Sequence, residues 1–334
     1  MTWYNTRGSN DDVVLSTRIR LARNIADYPF MSMCDRESAE KIIESVTNAL
    51  GADYKSVDFS KLSDTQARAY VEEHLVSPEF ACANMPRSLL LNEEKGIAVM
   101  VCEEDHVRLQ CILSGMNTDE AYKNACEADD ILSQKLNIAW DEKLGYLTQC
   151  PTNLGTGMRV SLMMFLPALT EARRIGQLSA SLSKLGLTIR GLYGEGSDAS
   201  GCLYQVSNQI TLGISEEDTI KKLNEVAVQI IEAERKLRSV MKSDSHDALC
   251  DRVMRAYGTM KNAYLMSTGE FMELFSSVRL GIALGMLDKI SYDKLGDVAI
   301  RIQPSVLTVN AGHSLGESER DRARADLLRK ELNG

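Results

Sequence analysis

The segment SLLLNEEKGIAVMVCEEDHVRLQCILS at residues 88–114 decides the predicted fold. Three apolar runs alternate here with a Glu-Glu-Lys-Gly turn and with an acidic junction. Short apolar runs separated by such turns are typical of consecutive antiparallel strands. The segment therefore predicts the centre of an antiparallel sheet.

The acidic junction Glu-Glu-Asp-His-Val-Arg at residues 103–108 is the first candidate site. An extended backbone would place Glu104, His106 and Arg108 on one face, with the carboxylate and the guanidinium roughly 13 Å apart. A pair at that separation could bracket a group that passes between two substrates. The alternative interpretation is a surface bend with solvated charges.

Upstream, polar and apolar residues alternate from Asp12 to Asn24, which predicts a strand with Ser16, Arg18 and Arg20 on one face. Two arginines on one face suit a clamp for a polyanion, although a solvated strand face is the commoner explanation. Helical periodicity predicts helices over 36–50, 63–74 and 119–140.

The segment CPTNLGTGMR at residues 150–159 is the second candidate site. We predict a loop that follows a strand at 145–149 and leads into a helix at 159–176. Pro167 should either kink this helix or mark its first part as irregular. Glycines, a helix N-terminus and Arg159 together would suit an anion such as phosphate. An ordinary turn is the alternative.

Further strands are predicted over 186–193 and 202–212, joined by a glycine-rich loop at 194–201 that could be a lid or merely a loop. Ser215 is a good N-cap for a long helix, and helical periodicity continues over 247–264, 269–287 and 316–332. The predicted fold class is therefore α+β, an antiparallel sheet flanked by helices and followed by an all-helical C-terminal domain. We predict a catalytic domain at 1–240 and a helical domain at 241–334, the latter either a dimerisation module or a plain subdomain.

Composition narrows the functional classes. The chain has 334 residues and a formal net charge of −9, which argues against nonspecific binding to nucleic acid or to an anionic membrane. No apolar run approaches the length of a membrane span, and the N-terminus lacks the order of a secretory signal, so a cytoplasmic protein is expected. Eight scattered cysteines without a Cys-x-x-Cys pair suggest neither a zinc site nor a disulfide framework.

Four motifs taken together resemble the phosphagen (guanidino) kinases, and in particular their bacterial protein-arginine kinase branch. They are Ser-Thr-Arg-Ile-Arg at 16–20, the acidic junction at 103–108, the segment at 150–159 and Arg-Gly-Leu-Tyr-Gly-Glu at 190–195. The resemblance covers about residues 12–213. It implies an antiparallel sheet flanked by helices, and transfer of the γ-phosphoryl group of Mg-ATP to a guanidinium nitrogen.

The resemblance also implies roles for individual residues. Glu104 would be the base, Glu195 a second carboxylate that holds the guanidinium, and Cys150 a reactive cysteine favoured as thiolate by the predicted helix end and by nearby arginines. Mg²⁺ would be held through the nucleotide, with no protein metal site. The nucleotide-binding residues would be Ser16, Thr17, Arg18, Ile19, Arg20, His74, Arg108, Arg159, Val160, Ser161, Leu162, Met163, Arg190, Gly191, Leu192, Tyr193, Gly194 and Glu195.

Physical reasoning agrees with these roles. Phosphoryl transfer depends on charge neutralisation and in-line positioning, so a ring of permanent cations is the expected equipment. A guanidinium stays protonated and is a poor nucleophile, so a carboxylate must orient it and accept a proton.

Departures from the family define the expected acceptor. The first arginine motif begins at Ser16, which leaves no room for the helical domain that closes over small substrates, and an open acceptor side would suit a protein arginine. Cys102 and Gly196 replace a usual asparagine and histidine. The alternatives are a kinase of free arginine or another small guanidino compound, and a noncatalytic phosphoarginine-binding adaptor.

The amphipathic helices after about residue 240 need a surface to cover and predict a homodimer. The resemblance further implies an activator protein, a heat-shock repressor as substrate and a Clp-type protease. The hexamer RDRARA at residues 320–325 matches a motif for a second, noncatalytic phosphoarginine pocket. In a helix, Arg320 and Arg324 would lie on one side and could share an anion, while Asp321 could hold a guanidinium beside Ala325. A solvated, charged helix face is the alternative.

Overall fold

A computed structural model describes residues 3–82, 84–191 and 200–333 of the chain. Its strands are β1 (Val14–Arg23), β2 (Lys55–Asp58), β3 (Ser88–Asn92), β4 (Ile97–Val101), β5 (Val107–Ser114), β6 (Trp140–Asp141), β7 (Gly145–Tyr146), β8 (Met158–Phe165), β9 (Leu187–Gly191) and β10 (Leu203–Asn208). Its helices are α1 (Arg36–Leu50), α2 (Asp64–Glu72), α3 (Pro78–Ala81), α4 (Thr118–Lys135), α5 (Pro167–Glu171), α6 (Ile175–Lys184), α7 (Glu216–Asp244), α8 (His246–Asn262), α9 (Thr268–Ala283), α10 (Tyr292–Arg301), α11 (Pro304–Ala311) and α12 (Glu317–Asn333).

The main sheet has eight strands in the order β2-β3-β4-β5-β1-β8-β10-β9, and every neighbouring pair is antiparallel. The three strands predicted from residues 88–114 are confirmed as β3, β4 and β5. The predicted α+β class, with an antiparallel sheet and a helical C-terminal region, is also confirmed.

Strand β1 lies between β5 and β8, and its alternating residues separate two environments. Ile19 and Leu21 are buried in a hydrophobic core that the sheet forms with α1, α4 and α7. Arg18 and Arg20 point to the opposite face. Each fully buried Ile or Leu contributes about 1.5 to 3 kcal/mol, so the apolar half of the alternation fixes the direction of the arginines.

The predicted helix at 159–176 is wrong, because its first half is strand β8. Val160, Leu162 and Met164 are fully buried in the core, whereas Arg159 and Met163 are only partly buried on the other face. This period of two is that of a strand, but the apolar run obscured it. Pro167 does not kink a helix; it occupies the first turn of α5, where a missing N–H is tolerated.

Other predicted boundaries shift. Helix α4 ends at Lys135, short of the predicted Trp140, which lies in the hairpin β6–β7. That hairpin contains only residues 145–146 of the strand predicted at 145–149, and β10 ends at Asn208 rather than at 212. Residues 194–199 of the predicted lid at 194–201 lie outside the described residues.

Helix α7 begins as predicted, with the Ser215 hydroxyl accepting from the Asp218 amide. It runs continuously through residue 240, and α8 begins after Ser245. Buried Glu234 in α7 accepts from the Ala168 amide and from Arg238, which ties this helix to α5. The division into two domains at residue 240 stays a prediction.

The C-terminal helices pack around a second core that includes Phe165 and Leu203 from the sheet. They therefore cover part of the face that carries Arg18 and Arg20. An N-terminal arm, residues 3–11, runs between these helices and the sheet. The result is a cleft whose walls are the sheet, the end of α2, the arm and helices α9 and α10.

Candidate functional site

The cleft has a volume of about 530 Å³, which falls within the usual range for ligand sites of about 300 to 1,000 Å³. The sheet face contributes residues of β1, β5, β8 and β10, and the end of α2 contributes His74. Of the predicted site residues, Ser16, Arg18, Arg20, His74, Arg108, Ser161 and Met163 line it.

A row of arginines crosses the sheet at the cleft. Arg20 on β1 is directly opposite Arg159 on β8, and Arg18 is opposite Ser161. Arg190 on β9 is opposite Gln205 on β10, which in turn accepts a hydrogen bond of 3.0 Å from Arg18. The antiparallel register therefore brings together cations that are up to 172 positions apart in the sequence.

These cations lack carboxylate partners. Arg18, Arg20 and Arg159 have no ion pair within 4.0 Å among the residues that the structure describes. Burial, followed by repulsion from Arg108 and Arg159, lowers the pKa of Arg18 to about 10, and burial also lowers the pKa of Arg20 and Arg159. Crowded cations without counter-charges favour binding of a polyanion.

Four predicted nucleotide-binding residues are placed differently. Their side chains point to the opposite face of the sheet and are fully buried there, so only their backbone could contact a ligand in the cleft. Thr17 donates to the Gly115 carbonyl, whereas the other three belong to the main core. The four residues are Thr17, Ile19, Val160 and Leu162.

The acidic junction is a tight turn, so the expected extended backbone is wrong. The amide of Cys102, which has a positive φ of 64°, donates to the His106 carbonyl, and the amide of Glu103 donates to the Asp105 carbonyl. The turn separates Glu104, which is exposed, from His106, which is fully buried. Glu104 and His106 therefore do not share a face.

Glu103, which sequence reasoning passed over, holds Arg108 in the cleft. Its carboxylate accepts 2.6 Å hydrogen bonds from Arg108 and from Ser77, and a third from the Glu104 amide. Burial opposes ionisation of Glu103, but the charge of Arg108 and these hydrogen bonds lower its pKa overall. The consecutive acidic residues were a visible signal, although only the turn reveals which one is paired.

The other carboxylate, Glu104, has a raised pKa. Partial desolvation is the main cause, and the neighbouring charges of Asp105 and Glu103 add to it, while Arg108 and Arg159 oppose it. A carboxylate with a raised pKa is a better proton acceptor near neutral pH. Glu104 is thus the member of the turn whose placement suits a base.

Buried groups behind the turn fix its position. Asp105 accepts from the Asn24 side chain at 2.6 Å and from the Gln149 amide at 2.7 Å. His106 Nδ1 accepts from the Ile25 amide at 2.9 Å. These contacts connect the turn to the end of β1 and to the chain that leads to Cys150.

His74 has a positive φ of 61° at the end of α2. Gln110 on the sheet donates to its carbonyl at 3.1 Å. Burial, and to a smaller extent the charge of Arg18, lower the pKa of His74 to about 4. The ring is therefore neutral at physiological pH and presents an uncharged surface beside the cations.

The Gly-x-Gly pair in the 150–159 segment has a packing explanation, whereas phosphate binding by this loop stays a prediction. A Cβ at Gly155 would lie 2.2 Å from the Thr211 carbonyl oxygen, and one at Gly157 would lie 2.7 Å from the Ala22 carbonyl oxygen. Both residues also have positive φ. The segment leads into strand β8, so the α-helix expected from residue 159 is absent; the helical turn that begins beside Cys150 is the short 3-10 helix Pro151–Asn153.

Cys150 itself is partly buried in this segment, with Sγ 3.0 Å from the Thr152 hydroxyl. Both Cys150 and Glu104 lie close enough to Arg159 for electrostatic interaction. The predicted base and the predicted reactive cysteine thus lie near Arg159 in the arginine row, although these three residues are not among those that line the cleft.

Arg190 is exposed, and Gly191 ends strand β9. Electrostatic repulsion between Arg190 and Arg159 shows that Arg190 extends the row. The remaining predicted residues of this motif, Leu192, Tyr193, Gly194 and Glu195, lie outside the described residues.

The RDRARA hexamer lies in α12 as predicted, and its side chains have partners within the chain. Arg324 is only 1% exposed and donates to the Ile302 carbonyl at 3.1 Å and to Asp321 at 2.8 Å. Asp321 thus holds a guanidinium of its own helix, Ala325 is fully buried, and Arg320 donates to the Leu315 carbonyl. A phosphoarginine pocket at this hexamer stays a prediction.

Within residues 3–82, 84–191 and 200–333 no group of three His, Cys, Asp or Glu side chains is arranged to hold a metal ion. A search of the same residues finds no helix that is long and apolar enough to span a membrane.

Comparison with known families identifies two matches in the chain. Residues 37–237 match the family described as ATP:guanido phosphotransferase, C-terminal catalytic domain. Residues 246–334 match the protein-arginine kinase McsB C-terminal domain.

Relatives that match nearly the whole chain, and solved structures, are consistent with these two family matches. The chain is 42% identical to a protein-arginine kinase of Syntrophomonas wolfei, over 99% of this chain and 95% of that protein. It is 43% identical to one of Caldanaerobacter subterraneus, over 96% and 97%. Among solved structures, it resembles lombricine kinase, with a TM-score of 0.60 and 25% identity over 70% of this chain and 69% of that chain. It also resembles the duplicated taurocyamine kinase of Schistosoma mansoni, with a TM-score of 0.61 and 26% identity over 67% and 33%.

Proposed function

The chain belongs to the ATP:guanido phosphotransferase family, in its protein-arginine kinase branch, and we propose that it transfers the γ-phosphoryl group of ATP to arginine side chains in proteins. The observation that carries this proposal is the identity of 42 to 43% with protein-arginine kinases over nearly the whole chain. The match to the C-terminal domain of such a kinase gives further support.

The residues of the cleft fit a nucleoside triphosphate. Arg18, Arg20 and Arg159 offer permanent cations without carboxylate partners among the described residues, which suits three phosphates better than it suits a neutral ligand. Mg²⁺ would be held through the phosphates. When bound, Mg-ATP supplies the phosphoryl group that is transferred.

The chain's own contribution is charge and position. The arginine row stabilises the negative charge that spreads over the transferred group. The sheet holds these arginines in fixed positions, so they need not rearrange during the reaction. Glu103 fixes the direction of Arg108 through a 2.6 Å hydrogen bond. Arg108 therefore needs little rearrangement when the phosphates arrive.

Glu104 is proposed as the base. The acceptor guanidinium must lose a proton as its nitrogen forms the N–P bond and the bond to the leaving oxygen breaks. Glu104 is exposed, so a side chain of another protein could reach it, it lies close enough to Arg108 and Arg159 for electrostatic interaction, and its pKa is raised. We propose that Glu195 holds the guanidinium with it, and that Cys150 helps to position the acceptor.

Finer features of the function are proposals of the same kind. We propose a cytoplasmic enzyme of stress response and protein quality control, with an activator protein, a heat-shock repressor as a substrate and a Clp-type protease acting on its products. Product binding at RDRARA would regulate it. Exposed Met254, Tyr264 and Leu265 on or beside the C-terminal helices support a homodimer through this region.

The test is incubation with Mg-ATP and either a denatured basic protein or free arginine, followed by mass spectrometry under non-acidic conditions that preserve the N–P bond. Phosphate on protein arginines is expected. Phosphate on free arginine alone would instead favour the small-acceptor chemistry that the names of the structural neighbours indicate. No phosphate on either acceptor would favour a noncatalytic phosphoarginine-binding protein.

A further inference from the structure

Trp3 in the N-terminal arm lines the same cleft as the arginines and His74. The centroids of its ring and the His74 ring are 5.6 Å apart, with the ring planes at 67°. Arg18 is close enough to His74 for its charge to act on the imidazole. The cleft therefore passes from cations at Arg18 to a neutral imidazole at His74 and then to an indole at Trp3.

The indole N–H of Trp3 is buried, and it has no hydrogen-bond partner among the residues that the structure describes. A buried Trp N–H normally finds an acceptor, because an unpaired donor loses its hydrogen bonds to water without replacement. Because this N–H is buried, a ligand in the cleft would contact the indole ring of Trp3 rather than its N–H.

The arm that carries Trp3 is fastened at several points. The Ser114 hydroxyl donates to the Thr6 carbonyl at 2.7 Å, and the Met116 amide donates to the Ser9 carbonyl at 2.8 Å. On the other side, the Tyr4 carbonyl lies so close to Gly296 of α10 that a Cβ there would be 2.1 Å from its oxygen. Both the sheet and the C-terminal helices thus hold Trp3 in place.

We propose that Trp3 binds the purine base of ATP, with its indole ring packed against the base. The proposal rests on the proposed function, which supplies ATP as the ligand. The arginines attract the phosphates to the Arg18 end, so the base is directed toward the aromatic end. Aromatic side chains bind bases through stacking.

Fluorescence tests the contact without disturbing it. The chain has two tryptophans, Trp3 and Trp140, and the latter is 58% exposed in β6. In a Trp140→Phe variant, Trp3 is the sole tryptophan, and Mg-ATP should change its emission saturably. Mg-tripolyphosphate, which has the phosphates but no base, should produce a much smaller change. In the matched Trp3→Phe variant, the emission of Trp140 should stay constant.

Calorimetry tests the energy of the contact. Trp3→Ala should weaken binding of Mg-ATP about tenfold, and should leave the affinity for Mg-tripolyphosphate unchanged. Arg20→Ala should weaken binding of both ligands. Circular dichroism would establish that each variant is folded, and the fluorescence experiment retains Trp3 in any case.

The outcomes separate this inference from the proposed function. If wild-type protein binds Mg-ATP and phosphorylates protein arginines, but Trp3→Ala binds Mg-ATP as tightly or more tightly, Trp3 is not a base-binding residue. If Trp3 reports Mg-ATP but no arginine is phosphorylated, the inference stands and the kinase proposal fails.

Discussion

Strand β1 carries two kinds of arginine only three positions apart. Arg23 is 1% exposed, donates to both oxygens of Asp129 at 2.8 to 3.1 Å, and lies 3.4 Å over the ring of Tyr146. Arg20 points into the cleft and has no carboxylate within ion-pair distance among the described residues.

This difference shows how a structural arginine is distinguished from a binding one. Burying a charge is costly unless a partner compensates it, so Arg23 contributes a permanent ion pair to the fold. At Arg20 the compensation is incomplete, and burial together with repulsion from Arg18 lowers its pKa. An entering anion would supply the missing charge.

The largest expected effect concerns the chemistry beside the unpaired cations. Glu104→Gln should lower the turnover number by about 10²- to 10⁴-fold, because an amide cannot accept the proton. ATP affinity should stay within about twofold, since the arginines hold the donor substrate. Steady-state kinetics and calorimetry measure the two quantities.

Glu94→Gln is a matched control, because Glu94 is also exposed but lies in the turn between β3 and β4. It should alter neither quantity. Near-normal turnover in Glu104→Gln would remove Glu104 from the role of base.

The paired arginine should affect stability instead. Arg23→Met leaves Asp129 buried without its partner and should cost about 3 to 5 kcal/mol in the free energy of unfolding. Denaturant unfolding measures this loss. The double variant Arg23→Met/Asp129→Leu removes both charges and should recover much of it, because a buried ion pair is often replaceable by apolar groups. A small loss of unfolding free energy in Arg23→Met would mean that Arg23 is not a structural arginine in the sense that distinguishes it from Arg20.

The unpaired arginine should show the opposite pattern. Arg20→Ala should weaken ATP binding roughly 10- to 100-fold, as expected for loss of a charged hydrogen bond. Its stability should be unchanged or slightly higher, because one of several mutually repelling cations is gone. Arg68→Ala, at an exposed position of α2, is the control. A marked loss of stability in Arg20→Ala would reveal a structural role.

The sequence predicted strand β1, the alternation of its residues between the two faces of the sheet, and the placement of Arg18 and Arg20 on one face. The alternation places Arg23 on the face of Ile19 and Leu21, but it could not identify the partner of Arg23, because Asp129 is 106 positions away and only the packing of α4 against β1 brings it near. Local pattern carries no information about such a partner.

The same reason explains the errors at the site. The run Val160 to Phe165 is apolar on both faces of β8, since Met163 lines the cleft, so its period of two was hidden. For the acidic junction the sequence leaves an extended backbone and a surface bend both open, because nothing local indicates the positive φ of Cys102. Trp3 carried no signal in the sequence, since its ring contact, His74, comes from a distant element.

The smallest expected effect concerns the pKa of His74, which depends on the positive charge of the nearby unpaired arginines. Burial and the charge of Arg18 lower this pKa from the ordinary 6.5 to about 4. The unfolded chain therefore takes up a proton between pH 6.5 and 4 that the folded chain does not. Stability is consequently lost as the pH falls through this window, by about 1 kcal/mol at pH 5 once the partial exposure of the ring is allowed for. In His74→Gln this loss should be absent.

Nuclear magnetic resonance of labelled histidine tests the link to the cleft directly. Mg-tripolyphosphate adds negative charge beside Arg18 and should raise the pKa of His74. The pKa of His106 is also lowered by burial, but its ring bonds to the Ile25 amide and the Pro29 carbonyl behind the acidic turn, so it should change less. Arg18→Ala should raise the pKa of His74 without any ligand and reduce the further change on adding one. The contrary result would be a His74 pKa near 6.5 that tripolyphosphate does not change. It would show that the cleft arginines do not act as uncompensated charges, and so do not differ from Arg23 in this respect.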